Sequence, residues 1–414
     1  MNDEQRLARR LGLGDAVVLG LGSMIGAGVF AAIGPAADVA GSGLLIGLAI
    51  AAVVAYANAT SSAQLAAVYP EAGGTYVYGR ERLGPIWGYL AGWSFVVGKT
   101  ASLAAMALTV GAYAFPGQER VVGVVAVVIM VAVNYSGVRK TAGLTKAIVA
   151  LVLASLAVVI YAGLANPAGS SDNLSELTSG GAGGILRAAG LLFFAFAGYA
   201  RIATLGEEVI DPERTIPRAI PIALGITLVV YASIATSALF AVGPDVLAGA
   251  TAPLVVAAEG GISWASPLVR AGGTIAALGV LLSLLAGVSR TVFAMARNHE
   301  LPTWLAAVHP RNKTPYRAEV AVGVVVAAIT VLADLRGAIG FSSFAVLMYY
   351  AIANASAFTQ SGTDRRWPRW LQVVGLAGCV LLALSLPASS VIGGGAILAV
   401  GAALWFLGNR AGAG

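Results

Sequence analysis

The chain has 414 residues, 58% of them apolar and only 11% charged, with a mean hydropathy of +0.85. Soluble globular proteins carry about 25% charged residues, so this composition excludes an ordinary water-soluble domain and describes a chain built for lipid. The net charge of +6 and pI near 9.5 do not argue for nucleic acid as a partner, because in a membrane chain the placement of Lys and Arg matters more than their sum.

Apolar runs of about 20 residues are the unit that spans a bilayer. After a polar stretch over 1–14, twelve such runs are read in chain order: 15–40, 43–69, 85–114, 121–137, 144–164, 185–206, 219–242, 265–295, 319–334, 338–358, 370–387 and 391–408. The fold class is therefore all-α integral membrane with 12 transmembrane helices. With both termini in the cytoplasm, nineteen of the 25 Lys and Arg residues fall on inner segments, among them Arg80, Arg82, Lys146, Arg297 and Arg311. Only Arg120, Arg187, Arg270 and Arg336 fall outside, a positive-inside asymmetry that supports an even number of spans in the plasma membrane.

Two of these runs are interrupted by small residues. The first contains Gly22-Ser23-Met24-Ile25-Gly26-Ala27-Gly28 and the sixth Phe194-Ala195-Phe196-Ala197-Gly198-Tyr199. Each opens a set of five spans, 15–164 and 185–358. Because five is odd, the second set enters the membrane from the opposite side, which gives a 5+5 inverted repeat with 370–408 as two additional helices outside it. Broken backbone survives at membrane depth only where protein or a water-filled cavity satisfies its freed groups, so paired breaks are the expected binding site. At the first break the amides of Gly26, Ala27 and Gly28, at a positive helix end, suit a carboxylate. At the second, freed carbonyls suit an ammonium group. Together they describe a site for an amino acid zwitterion. Taken alone, the first glycine cluster reads rather as a close helix-packing face, and it is the second break that turns the reading toward a binding site.

Further residues bear on the family. Gly22-Ser23-Met24-Ile25-Gly26-Ala27-Gly28-Val29-Phe30 resembles the first-helix signature of the amino acid–polyamine–organocation superfamily, and Tyr69-Pro70-Glu71-Ala72-Gly73-Gly74-Thr75-Tyr76 is similar to its segment after the second helix. Leu192 to Tyr199, followed by Asp211-Pro212-Glu213-Arg214, resembles its sixth helix and next loop, and Ser289-Arg290 with Ala294-Met295-Ala296-Arg297 the end of its eighth. The resemblance implies the leucine-transporter-type fold and alternating access. It also implies that the solute amine meets carbonyls around Met24, Ile25, Phe194 and Ala197, and that Phe194 lies where relatives place an aromatic lid.

Two departures from the family pattern stand out. Gly198-Tyr199 is followed by Ala200 and Arg201 where many relatives carry an acidic residue. The fifth-span lysine of several proton-coupled relatives is missing, since Leu151, Val152 and Leu153 fill its place. Lys99, midway along the third span, is the candidate substitute for proton coupling, because an ionisable group at that depth faces a cavity or a partner. A fixed tie to backbone carbonyls is the structural alternative. Phe194, Tyr199, Arg201, Glu207 and Glu208 are the expected gate residues, although the charged segment from Glu207 to Arg218 also reads as a solvated loop. Tyr349 and Tyr350 either narrow the outer path or anchor at the interface.

The expected function is secondary transport of amino acids, neutral ones and proton-coupled, with membrane lipid as surroundings and no nucleic acid partner. Lys99 and Arg201, two positive charges at depth, argue against cationic solutes. Solute exchange, sodium coupling through Ser283 and Ser289, and a non-transporting amino acid sensor are the alternatives. No catalytic constellation is read. His299 and His309 lack metal-ligand spacing and Cys379 is a lone packing residue, so neither a metal nor a cofactor is expected.

Overall fold

The computed structural model describes residues 11–69, 73–137, 142–199 and 209–411. Among the described residues the elements are helical: α1 (Leu13–Met24), α2 (Ala27–Ala40), α3 (Leu44–Val68), α4 (Thr75–Leu83), α5 (Pro85–Ala114), α6 (Glu119–Tyr135), α7 (Ala142–Leu164), α8 (Gly181–Phe196), α9 (Pro212–Gly249), α10 (Pro253–Glu259), α11 (Ala265–Arg297), α12 (Tyr316–Leu332), α13 (Leu335–Phe358), α14 (Arg369–Ser385) and α15 (Ala388–Ala411). Seven stretches are long and apolar enough to cross a membrane: Ala27–Val68, Pro85–Ala114, Gly143–Leu164, Pro212–Gly249, Ala265–Arg297, Leu335–Phe358 and Ala388–Gly408. The chain is thus a multi-pass helical membrane protein.

The departures from the sequence reading have local causes. The first apolar run is two helices, and at 12 residues α1 rises only about 18 Å, short of the roughly 30 Å hydrocarbon core. Ala27–Val68 bends at Gly41, whose φ of 56° permits the tight turn between α2 and α3. The segment 212–218, expected as loop, is the first turns of α9, with Pro212 at the position where a missing N–H costs nothing. Near its other end Gly243 (φ 75°, ψ 168°) interrupts α9 ahead of Pro244. The short helices α4 and α10 fill stretches read as connections.

The interior is centred on α2, α3, α5 and α13, of which α5 and α13 form the most extensive pair. Both are buried along most of their length, and they pack on each other, with α5 also lying against α11. Small residues set the spacing. A Cβ at Gly98 would lie 2.8 Å from Ala345, and one at Gly47 3.0 Å from the amide of Ala189 in α8. The two C-terminal helices are unlike each other in burial. On α14, Gln372, Gly375, Cys379 and Leu382 are buried, Gly375 fits against Asn354 of α13, and the Cys379 thiol donates to Asn58 Oδ1 at 3.3 Å. By contrast, α15 is exposed along most of its described length.

Candidate functional site

The first break is a single turn. Ile25 has φ −78° and ψ 63°, and the Gly26 amide donates to Met24 O at 2.8 Å, the geometry of an inverse γ-turn. Gly26 caps α2, so Ala27 and Gly28 are its first helical residues, whose N–H groups have no partner within their own helix. The Gly26 amide, read from sequence as a carboxylate donor, is thus engaged by its own turn, while those of Ala27 and Gly28 sit at the positive end of α2. Gly26 is hemmed by the side chain of Val280 from α11.

The second break ends α8 at Phe196, and a turn over 197–199 follows. The sequence reading continues this span to 206, which lies outside the described residues, as do Arg201, Glu207 and Glu208. The two breaks face and touch each other. Any Cβ at Gly198 would run into the carbonyl of Ser23 and the amide of Met24, and a Cβ at Gly28 would lie 2.7 Å from Ala195 Cα. The positive end of α2 and the carbonyl end of α8 are therefore in direct apposition, two opposite partial charges at one place.

The carbonyls released by the breaks are taken by three side chains. Tyr231 of α9 donates its hydroxyl to Met24 O at 2.5 Å and is also 3.0 Å from Ala195 O. Lys99 of α5 donates its Nζ to Ala197 O at 3.4 Å, and the Tyr350 hydroxyl of α13 reaches the same oxygen at 3.2 Å. Lys99 is 9% exposed, and no ion pair to it occurs among the described residues. Tyr199 is fully buried and lies against the Tyr350 ring at 5.0 Å. Phe194, the expected lid, is half-buried, whereas Phe193 and Phe196 pack on Tyr350 and Tyr231. Sequence reasoning missed Tyr231, since an aromatic in an apolar run carries no mark of a hydrogen-bonding task.

It also missed a charged clamp at one end of the bundle. Arg80 of α4 pairs with Glu300, just beyond α11, and lies over the Tyr76 ring at 4.8 Å. The Tyr76 hydroxyl donates to Glu300 Oε2 at 2.6 Å and accepts from Asn298 Nδ2 at 2.6 Å. Burial pushes the Glu300 carboxyl above the usual carboxylate range, against the pull of Tyr76 and Arg80. Burial, and then the neighbouring carboxylate, push the Tyr76 hydroxyl up to about 12. The available signal was the i, i+4 spacing of Tyr76 and Arg80. Of the charged segment Glu207 to Arg218, the described charged residues Asp211, Glu213, Arg214 and Arg218 are exposed, with one loose pair among them, Arg214 to Asp211 at 3.8 Å.

Among the described residues no group of His, Cys, Asp and Glu is placed to hold a metal ion. Ser289 and Ser283, the hydroxyls considered for sodium, donate to Leu285 O and Gly279 O of their own helix, and Ser283 is exposed. A hollow of about 410 Å³ beside Arg187 and Ser385, and one of about 440 Å³ beside Trp264 and Leu151, are lined by other residues than the breaks.

The family model described as amino acid permease matches residues 15–393. An uncharacterized transporter of Mycobacterium tuberculosis is 62% identical over 400 residues, covering 96% of this chain and 91% of its own. The branched-chain amino acid permease BcaP of Bacillus subtilis is 26% identical over 440 residues, with 98% of this chain and 94% of its own covered. Cationic amino acid transporter 4 of Homo sapiens is 28% identical over 379 residues, 85% of this chain and 60% of its own.

Proposed function

We propose, since this chain belongs to the amino acid permease family, that it carries amino acids across the plasma membrane by alternating access, with the solute held between the two helix breaks. The observation that carries this reading is the apposition of the α2 amino end and the α8 carbonyl end, through Gly28 on Ala195 and Gly198 on Ser23. A zwitterion needs one site for each of its charges, a short distance apart, and the two helix ends offer both. The breaks are in contact, so solute entry requires them to separate, which is what alternating access provides. Ala27 and Gly28 receive the carboxylate; carbonyls around Met24, Ile25, Phe194 and Ala197 receive the amine.

The finer proposals follow from the sequence. The chain spans twelve times with cytoplasmic termini, and 15–164 and 185–358 form an inverted repeat. The solutes are neutral amino acids, because Lys99 places an ammonium beside the site, and the branched-chain selectivity in the name of the Bacillus relative fits this. The cationic class named for the human relative is the competing choice and requires a solute charge next to Lys99. Protons drive uptake, with Lys99 as the exchanging group; sodium coupling and solute exchange are the rival modes. Tyr199, Phe194, Arg201, Glu207 and Glu208 serve the gate.

Uptake of labelled leucine, valine, alanine, arginine and lysine into proteoliposomes, under an imposed pH gradient, a sodium gradient or neither, tests the reading. Accumulation of neutral amino acids driven by the pH gradient is expected. Accumulation of none, with binding retained, would make the protein a sensor instead.

A further inference from the structure

Lys99 and Tyr350 both donate to Ala197 O, at 3.4 and 3.2 Å. A carbonyl oxygen has two lone pairs, so these two donors fill it, and a third donor enters only by displacing one of them. Of the donors on the released carbonyls, the Lys99 side chain alone is a primary ammonium, the same chemical group an amino acid presents. Its four-carbon stem is flexible, while the backbone beneath it is fixed. Gly98 is seated against Ala345 and Val346 of α13, the helix that also bears Tyr350. The donors thus stand on the α5–α13 pair and the acceptor on the break of α8.

We infer that Lys99 is a built-in stand-in for the solute's ammonium: it occupies Ala197 O when the two breaks close without solute, and yields that oxygen when a solute amine arrives. The inference rests on the reading of the breaks as the solute site. Under-satisfied carbonyls at membrane depth are costly, and closing the breaks without Lys99 would leave Ala197 O with the Tyr350 hydroxyl alone and one of its two lone pairs unfilled. With its own ammonium in place, the carrier reorients without solute and performs net transport rather than obligate exchange. Lys99 also sets specificity. A displaced lysine remains close by, so a solute with a second positive charge meets repulsion that a neutral amino acid does not.

The test uses the full-length protein in proteoliposomes with radiolabelled leucine, or whichever amino acid the screen above shows to be accumulated best. Lys99→Met removes a competitor for the amine site, so equilibrium binding is expected to tighten by about fivefold or more. Net uptake into solute-free vesicles is expected to fall by about tenfold or more, while exchange into preloaded vesicles stays within about threefold of the natural protein. Weaker or unchanged binding, or equal loss of net uptake and exchange, would overturn the inference. If the Met variant aggregates, Lys99→Ala, which likewise removes the donor, is expected to give the same split. Tyr350→Phe, which removes only the neutral donor, is expected to leave the ratio of net uptake to exchange unchanged; a shift as large as that of Lys99→Met would also overturn it. If the natural protein binds and moves no amino acid, the transport reading itself fails. If it transports and Lys99→Met behaves like it, only the stand-in role does.

Discussion

Replacing Gly198 by Ala adds a single methyl group where the two breaks touch. Its Cβ would meet the carbonyl oxygen and carbon of Ser23 and the amide of Met24, all of them backbone. No rotamer change can relieve that overlap. The Ser23–Met24 turn cannot easily recede, because the Gly26 amide and the Tyr231 hydroxyl both hold Met24 O. Overpacking in a close-packed interior costs about 1–3 kcal/mol, and a rigid backbone neighbour puts this position at the upper end, about 3 kcal/mol. At about 1.4 kcal/mol per factor of ten, the closed arrangement of the breaks becomes roughly a hundredfold less populated. If closure is a step of transport, uptake in proteoliposomes falls by a similar factor and the melting temperature in detergent drops. Gly225→Ala is the control. It is the same chemical change inside α9, where nothing lies within 4 Å of the added carbon, and Ala is the better helix former by about 1 kcal/mol. Gly198→Ala with uptake and melting like those of Gly225→Ala would refute the reasoning.

Tyr231→Phe removes the hydroxyl shared by Met24 O and Ala195 O. Met24 O keeps the Gly26 amide, so the loss centres on Ala195 O and is expected to cost about 1–3 kcal/mol, read as a lowered melting temperature; an unshifted melt would deny the hydroxyl its role. Arg80→Gln strips Glu300 of its cation and so raises a carboxyl pKa that burial already holds high. Because the folded value is the higher one, the affected stability is fully present below the unfolded carboxylate value of about 4.3 and is lost as pH rises through the folded value. The variant should therefore match the natural protein near pH 4 and fall behind it toward pH 8, by about 1–2 kcal/mol for this partly exposed pair; a pH-independent difference would contradict this. Gly26→Leu forces a side chain against Val280 beside the amino end of α2 and is expected to abolish amino acid binding measured at equilibrium. Unchanged affinity would remove the amino end of α2 from the site.

What could be read from residue order depended on whether the signal was local. The first break was legible because Gly26 and Gly28 interrupt an otherwise smooth apolar run, and Lys99 because a charge at that depth has few structural excuses. The partner of Lys99 was not legible, since Ala197 lies 98 positions away and no nearby pattern encodes the meeting. The clamp of Arg80, Tyr76 and Glu300 escaped for the same reason, its members being 220 and 224 positions apart. The start of α9 was misplaced because the polar residues around Pro212 look like a loop, although Pro at a first helical position is itself a start signal. On α14, the spacing of Gln372, Gly375, Cys379 and Leu382 follows a helical face and was available, but high apolarity on every side conceals which face is inward.

That inward face of α14 has a consequence for how the chain can be shortened. Asn354 holds Ser61 Oγ at 2.7 Å and Asn58 Oδ1 at 2.6 Å, and the Cys379 side of α14 roofs this amide cluster. Truncation after Pro387 would shed α15, a mostly exposed helix, and leave the cluster roofed. Truncation before Arg369 would turn the carboxamides of Asn58 and Asn354 toward hydrocarbon, which offers them nothing to bond. The helix Arg369–Ser385 is thereby a structural lid on a polar seam, and a shortened chain that keeps the seam covered has to retain it.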